Sequence, residues 1–106
     1  MKIKHLSTDQ QASLARLILF RNDPELLSEV LKWARVGNTD AQYAAGLIYA
    51  EGRGVRPDPI EAYVWLSRAY AQGDEDAGLL REMVMLRMSF DDIALADQRL
   101  TKEEYI

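Results

Sequence analysis

The chain has 106 residues, 48% of them apolar, with 17 acidic and 13 basic side chains and a net charge of −4, the make-up of one globular domain with a single core. It contains no cysteine and one histidine, His5, which excludes disulfides, thiolate chemistry and cysteine-based zinc sites and leaves no metal-binding cluster. The acidic balance argues against nucleic acid, whose phosphates reward a basic surface.

Ala and Leu are the commonest residues, Arg and Glu are frequent, and no stretch alternates with period two, so the chain reads as all-α. The N-terminus, MKIKHLSTDQQ, has no apolar run of secretory length, and apolar runs such as Leu17–Phe20 are far too short to span a bilayer. The expectation is therefore a cytoplasmic protein with no membrane contact.

Ser7 or Thr8 can cap a first helix, with Gln10 or Gln11 at the capping-box position. Asp23-Pro24 opens a second as N-cap and first-turn proline, and Gly37 and Asn38 close it. Thr39 or Asp40 begins a third, through about Glu51. Asp58-Pro59 repeats the cap-plus-proline signal for a fourth, closed by Gly73. Asp74 or Asp76 begins a fifth, through about Met88, and Ser89, with Asp92 three residues on, caps a sixth to about Leu100. The tail 101–106 has no clear pattern and is expected to fray.

Six helices on short turns suggest repeats. Ala12, Ala15 and Phe20 align with Ala41, Ala44 and Tyr49; Asp23-Pro24 aligns with Asp58-Pro59; a third copy starts at Ala77. Residues 1–106 thus read as one domain: a divergent unit 7–38, a central unit 39–74, a degenerate unit or cap 75–100, and the tail. Helical 3–4 spacing puts Ala41, Ala44, Ala45, Ile48 and Tyr49 on one core-facing stripe, and Ala62, Trp65, Leu66, Ala69 and Tyr70 on another. Trp33 and Trp65 fall on core-facing sides as well. The small residues are packing devices that let helices approach closely.

The central unit resembles a Sel-one-like repeat, a helical repeat related to the tetratricopeptide family. The resemblance rests on Ala41, Tyr43, Gly46, Tyr49, Gly52, Gly54-Val55, Asp58, Ala62, Trp65, Ala69, Gly73 and Ala77, in order and spacing. Residues 88–100 are similar to the closing helix that often follows such repeats in bacterial proteins. The pattern departs at Ala45, where the family often has Leu, at Ala69-Tyr70, where it commonly has an Ala pair, and in the first unit, which has Arg21-Asn22 in place of the Gly-x-Gly-Val loop. The resemblance implies a short right-handed α-solenoid of about three antiparallel helix pairs that serves as a protein-binding scaffold without catalytic activity or cofactor.

The residues themselves offer little chemistry. Asp74-Glu75-Asp76 and Asp91-Asp92 sit where helices begin, as the helix dipole favours, and Glu103-Glu104 reads as a solvated tail. Gly52-Arg53-Gly54 follows no strand and is no phosphate loop, and Arg53 and Arg56 read as solubilising loop residues. No catalytic residue and no metal ligand is assigned.

The resemblance places the first helix of each pair on the concave face: Asp40, Tyr43, Leu47, Ala50 and Glu51 in the central unit, Gln11, Leu14, Ile18 and Arg21 in the first, and Asp76, Leu79, Met83, Leu86 and Arg87 in the third. Leu14, Ile18, Tyr43, Leu47, Leu79 and Met83 then form an apolar groove with Glu51 on its rim, suited to a helix or short peptide of another protein. The chain is expected to be a monomer or weak homodimer; the alternative is a self-associating structural protein whose groove is buried in a homo-oligomer or by its own sixth helix or tail.

Overall fold

The computed structural model describes residues 24–104, and among them every regular element is a helix: α1 (Pro24–Arg35), α2 (Thr39–Glu51), α3 (Pro59–Ala71), α4 (Glu75–Met85) and α5 (Phe90–Glu104). The helix expected from Ser7 or Thr8, with Leu14 and Ile18, lies outside the described residues.

The starts follow from capping chemistry. Orphan N–H groups at a helix N-terminus need acceptors, and short polar side chains supply them. Asn38 Oδ1 accepts from Ala41 N (2.8 Å), Asp58 Oδ1 from Glu61 N (3.1 Å) and Asp74 Oδ1 from Ala77 N (3.1 Å). Gly37, at φ 95°, and Asn38 close α1 as expected, their N–H groups reaching the Ala34 and Trp33 carbonyls (both 3.1 Å), and Asn38 starts α2 as well. Ser89 and Asp92 form the reciprocal capping box: Asp92 N donates to Ser89 Oγ and Ser89 N to Asp92 Oδ2, both at 3.1 Å.

Two ends differ from expectation. α4 stops at Met85, because Arg87 N and Met88 N turn back to the carbonyls of Val84 and Met85, three residues behind, before the Ser89 cap. α5 runs on through the predicted tail to Glu104, with no Gly or Pro to stop it and Thr101 Oγ1 bonded to the Asp97 carbonyl (3.0 Å).

Consecutive helices α1–α4 pack side by side in order, while α5 returns to lie on α3 and α4 also touches α2. The buried side chains fall into two clusters. One joins Leu27, Val30 and Ala34 of α1 to Ala41, Ala44, Ala45 and Ile48 of α2 and Trp65 of α3, with Trp33 and Val55 against it. The other joins Ala50, Ala62, Tyr63, Leu66 and Ala69 to Ala77, Val84 and Ala96. Tyr49 touches both, so α2 and α3 carry a core on each side. This is the build of a repeat stack, in which each unit is buried by its neighbours.

The small residues set the spacing. A Cβ on Gly46 would stand 2.5 Å from Leu66 Cγ and 2.6 Å from Cδ2, so only a bare backbone lets α2 and α3 approach this closely. The α2–α3 loop begins with Gly52 at φ 74°, the left-handed turn that ends α2, where its N–H and that of Arg53 both reach the Ile48 carbonyl (2.8 and 3.1 Å). Asp58 N then bonds the Tyr49 carbonyl (2.9 Å), tying the start of α3 to the end of α2.

Two side chains depart from their expected places. Arg53 is 9% exposed, not a solubilising residue; it reaches back to Glu51, with Nη2 2.6 Å and Nε 2.7 Å from Oε2. Tyr70 is half exposed rather than core-facing, its ring filling the space that a Cβ on Gly78 would occupy.

Candidate interaction face on α2 and α4

Tyr43 and Leu47 project from α2, and Leu79, Met83 and Leu86 follow one another along one face of α4 at intervals of four and three. The two helices touch. Tyr43 and Leu47 are half-buried and Glu51 is exposed at the rim. Leu79 is 65% exposed, Met83 63% and Leu86 88%. Apolar side chains this open, grouped on one helix face, are the usual mark of an interaction surface.

The gradient between the helices has a plain cause. Tyr43 and Ala50 on α2 are covered in the cluster that holds Ala77 and Val84 of α4. Laying Ala77 over Ala41 puts Leu79 where Tyr43 stands and Leu86 where Ala50 stands. What α4 does for α2, no described helix does for α4. Two of the positions expected to line the concave face are corrected: Asp40 (6% exposed) and Ala50 (5% exposed) are buried, Ala50 in the cluster it shares with α4.

The alternative cover by the sixth helix is not seen over Leu79, Met83 and Leu86, which stay exposed while α5 is seated on α3. It is fixed there by a polar junction. Arg81 Nη2 donates to Tyr63 Oη (2.6 Å) with its guanidinium 4.6 Å from the ring centroid, and Tyr63 Oη donates to Asp97 Oδ1 (2.9 Å). Arg99 Nη1 adds an ion pair to Glu61 (2.8 Å). A second link, legible from no motif, joins the end of α3 to α2 and α1: Gln72 Nε2 donates to Gln42 Oε1 (2.6 Å), and Gln42 Nε2 to the Ala34 carbonyl (3.2 Å).

The face is acidic around its aromatic. Burial, and then the charges of Asp76, Asp74 and Glu51, push the Tyr43 phenol above its ordinary range, so it stays a neutral hydrogen-bonding group. Arg87, at the opposite end of α4, donates from Nη1 to the Ala50 carbonyl (3.2 Å) and remains exposed. Among the described residues no three His, Cys, Asp or Glu side chains gather in a way that could hold a metal, and no helix is long and apolar enough to cross a membrane. Trp65, a possible stacking platform by residue type alone, is spent on the core, with Arg68 over its ring at 4.5 Å.

Residues 39–74 match the family model of the Sel1 repeat. Two curated relatives are both described as alginate biosynthesis protein AlgK. The one from Pseudomonas syringae pv. tomato is 26% identical over 80 residues, covering 76% of this chain and 17% of that protein. The one from Azotobacter vinelandii is 31% identical over 78 residues, covering 74% of this chain and 17% of that protein. The chain thus spans about a sixth of the length of these relatives. No solved structure matches. The matched span begins at the first residue of α2 and ends at the N-cap of α4, so a Sel1 repeat is one helix pair plus the turn into the next.

Proposed function

We propose, from the Sel1 repeat that residues 39–74 form, that this protein is a non-catalytic interaction module that holds another protein against the α2–α4 face. Sel1 repeats are a protein-interaction scaffold, and the observation that supports the reading here is the open run Leu79, Met83 and Leu86 on the helix that touches α2. Apolar area of this kind gains most by burial against an apolar partner, at about 25 cal/mol per Å². The acidic groups around Tyr43 favour a partner with basic residues flanking its apolar ones. The relatives' alginate biosynthesis is not carried over, because the shared stretch is a sixth of their length and consists of scaffold.

The test is capture from cell lysate by immobilised protein, comparing the natural chain with Leu79→Ser/Met83→Ser. These side chains are mostly exposed, so the variant should keep its helicity and lose its partner. Tyr43→Ala is a poorer probe, since Tyr43 also packs against the second cluster. Undiminished capture of the same partner by the double variant refutes the assignment of this face.

A further inference from the structure

The open side of α4 carries charge as well as apolar surface, and over most of its length the charge has one sign. Leu79 and Met83 form an exposed strip that Leu86 continues at the C-cap. At 3.6 residues per turn, Glu75 and Glu82 lie along one edge of this strip and Asp76 along the other. All three carboxylates are exposed, and none forms an ion pair with a described residue. The only base within α4, Arg81, points away from them, donating to Tyr63 Oη on α3. Arg87, past the end of the helix, is tethered by its bond to the Ala50 carbonyl (3.2 Å). We infer that the occupant of this strip is a basic amphipathic helix of another protein. Its apolar residues, spaced by three and four, lie on Leu79 and Met83, and its Lys or Arg side chains stand opposite Glu75, Asp76 and Glu82.

This rests on the reading of α4 as an interaction face and names the class of partner that the face takes. The helical form has a precedent inside the molecule. Tyr43 and Ala50 of α2, which Leu79 and Leu86 match in register, share a cluster with Ala77 and Val84 of α4, so a helix already covers the equivalent strip one unit earlier. The sign of the charge then selects among helices. Three unpaired carboxylates along an apolar strip reward cations and repel acids, which supplies specificity and a faster encounter. A second copy is disfavoured for the same reason, because Glu82 would meet its own counterpart near a two-fold axis through the strip. Burial first, and then the charges of Asp76, Asp74 and Glu51, raise the Tyr43 phenol, so the acidic field extends to α2.

The experiment measures fluorescence anisotropy of three labelled, helix-stapled peptides against the full chain, at low and moderate salt, with circular dichroism on every variant. The first peptide has Leu and Ala at spacings of three and four with Lys on both flanks. The second has Glu in place of every Lys, and the third has the first one's residues in an order that abolishes the apolar stripe. The first should bind about tenfold or more tightly than either of the others, and salt should weaken it. Leu79→Ser/Met83→Ser and Glu75→Lys/Glu82→Lys should each lower its affinity by about tenfold, and the second of these variants should turn to the Glu-flanked peptide. Glu29→Lys, on α1 at the other end of the row, should change it by less than about twofold. No binding, equal binding of all three peptides, or an equal loss with Glu29→Lys overturns the proposal. So does a chain that sediments at twice its mass until Leu79→Ser/Met83→Ser is introduced, since the strip then belongs to a second copy. If the Lys-flanked peptide fails while capture from lysate still falls in Leu79→Ser/Met83→Ser, the basic helix is wrong and the interaction face stands; if capture is indifferent too, both fall.

Discussion

Gly46→Ala inverts the usual consequence of such a change. In a helix interior, replacing Gly by Ala ordinarily stabilises by about 1 kcal/mol, because Gly loses more backbone freedom on folding. Here the new Cβ would stand 2.5 Å from Leu66 Cγ and 2.6 Å from Cδ2, with the Ala62 carbonyl oxygen at 3.4 Å. Leu66 is wholly buried and has little room to withdraw, and overpacking of this kind costs about 1–3 kcal/mol. The clash outweighs the propensity, for a net loss of up to about 2 kcal/mol. The same reasoning predicts a change of sign when the obstacle is removed. In a Leu66→Ala background, itself destabilised by about 2–5 kcal/mol, Gly46→Ala should stabilise by about 1 kcal/mol. Urea denaturation followed by circular dichroism reads all four corners of the cycle. If Gly46→Ala stabilises the natural chain, or if its effect is the same in both backgrounds, the close approach of α2 and α3 is not what requires glycine there.

Gly54, at φ 76°, should tolerate valine poorly; Gly54→Val is expected to cost about 1–2 kcal/mol in the same denaturation assay while leaving partner capture per folded molecule unchanged. Gln42→Leu leaves the Ala34 carbonyl and Gln72 without their buried partner and should cost about 1–3 kcal/mol, read as a lowered urea midpoint. The Tyr43 phenol is raised in the folded state by burial and then by Asp76, Asp74 and Glu51, so the unfolded chain releases its proton first. Its contribution is fully present below the ordinary tyrosine value near 10 and is lost as pH rises from there through the higher folded value; ultraviolet titration should show late phenolates from Tyr43 and from Tyr49, whose burial also raises it, and Tyr43→Phe should remove one of the two.

Much of the fold was legible because helix ends are local events. Asp58-Pro59 and the Ser89–Asp92 box act where they were read, and α2 starts and stops at the expected residues, since a cap needs only a side-chain oxygen at the right offset. The alanine stripe on α2 was legible for the same reason. What escaped depends on chain segments distant in sequence. Arg53 carries a charge, and nothing in its neighbours says that the turn at Gly52 folds its side chain back onto Glu51. Tyr70 keeps the spacing of a core residue, but Gly78 on the next helix offers its backbone as a resting place instead. The Gln42–Gln72 link joins two helices through residues that no pattern singles out.

The exposure of the candidate face was half legible. Leu79 and Met83 were placed on it by their register with Tyr43 and Leu47, and both are open apolar side chains. Asp40 and Ala50 share that register yet are buried, Ala50 in the cluster it shares with α4. Register names the positions that can meet a partner, and the end of the stack decides which of them are open.

A photo-crosslinking amino acid placed at position 83, with a control at Gln98 on the exposed side of α5, tests the central claim most directly. Illumination in cells should give a protein adduct at position 83, whether to a second copy or to another chain, and none at position 98. Adducts at position 98 alone, or at both positions in equal yield, would contradict the assignment of the α4 face.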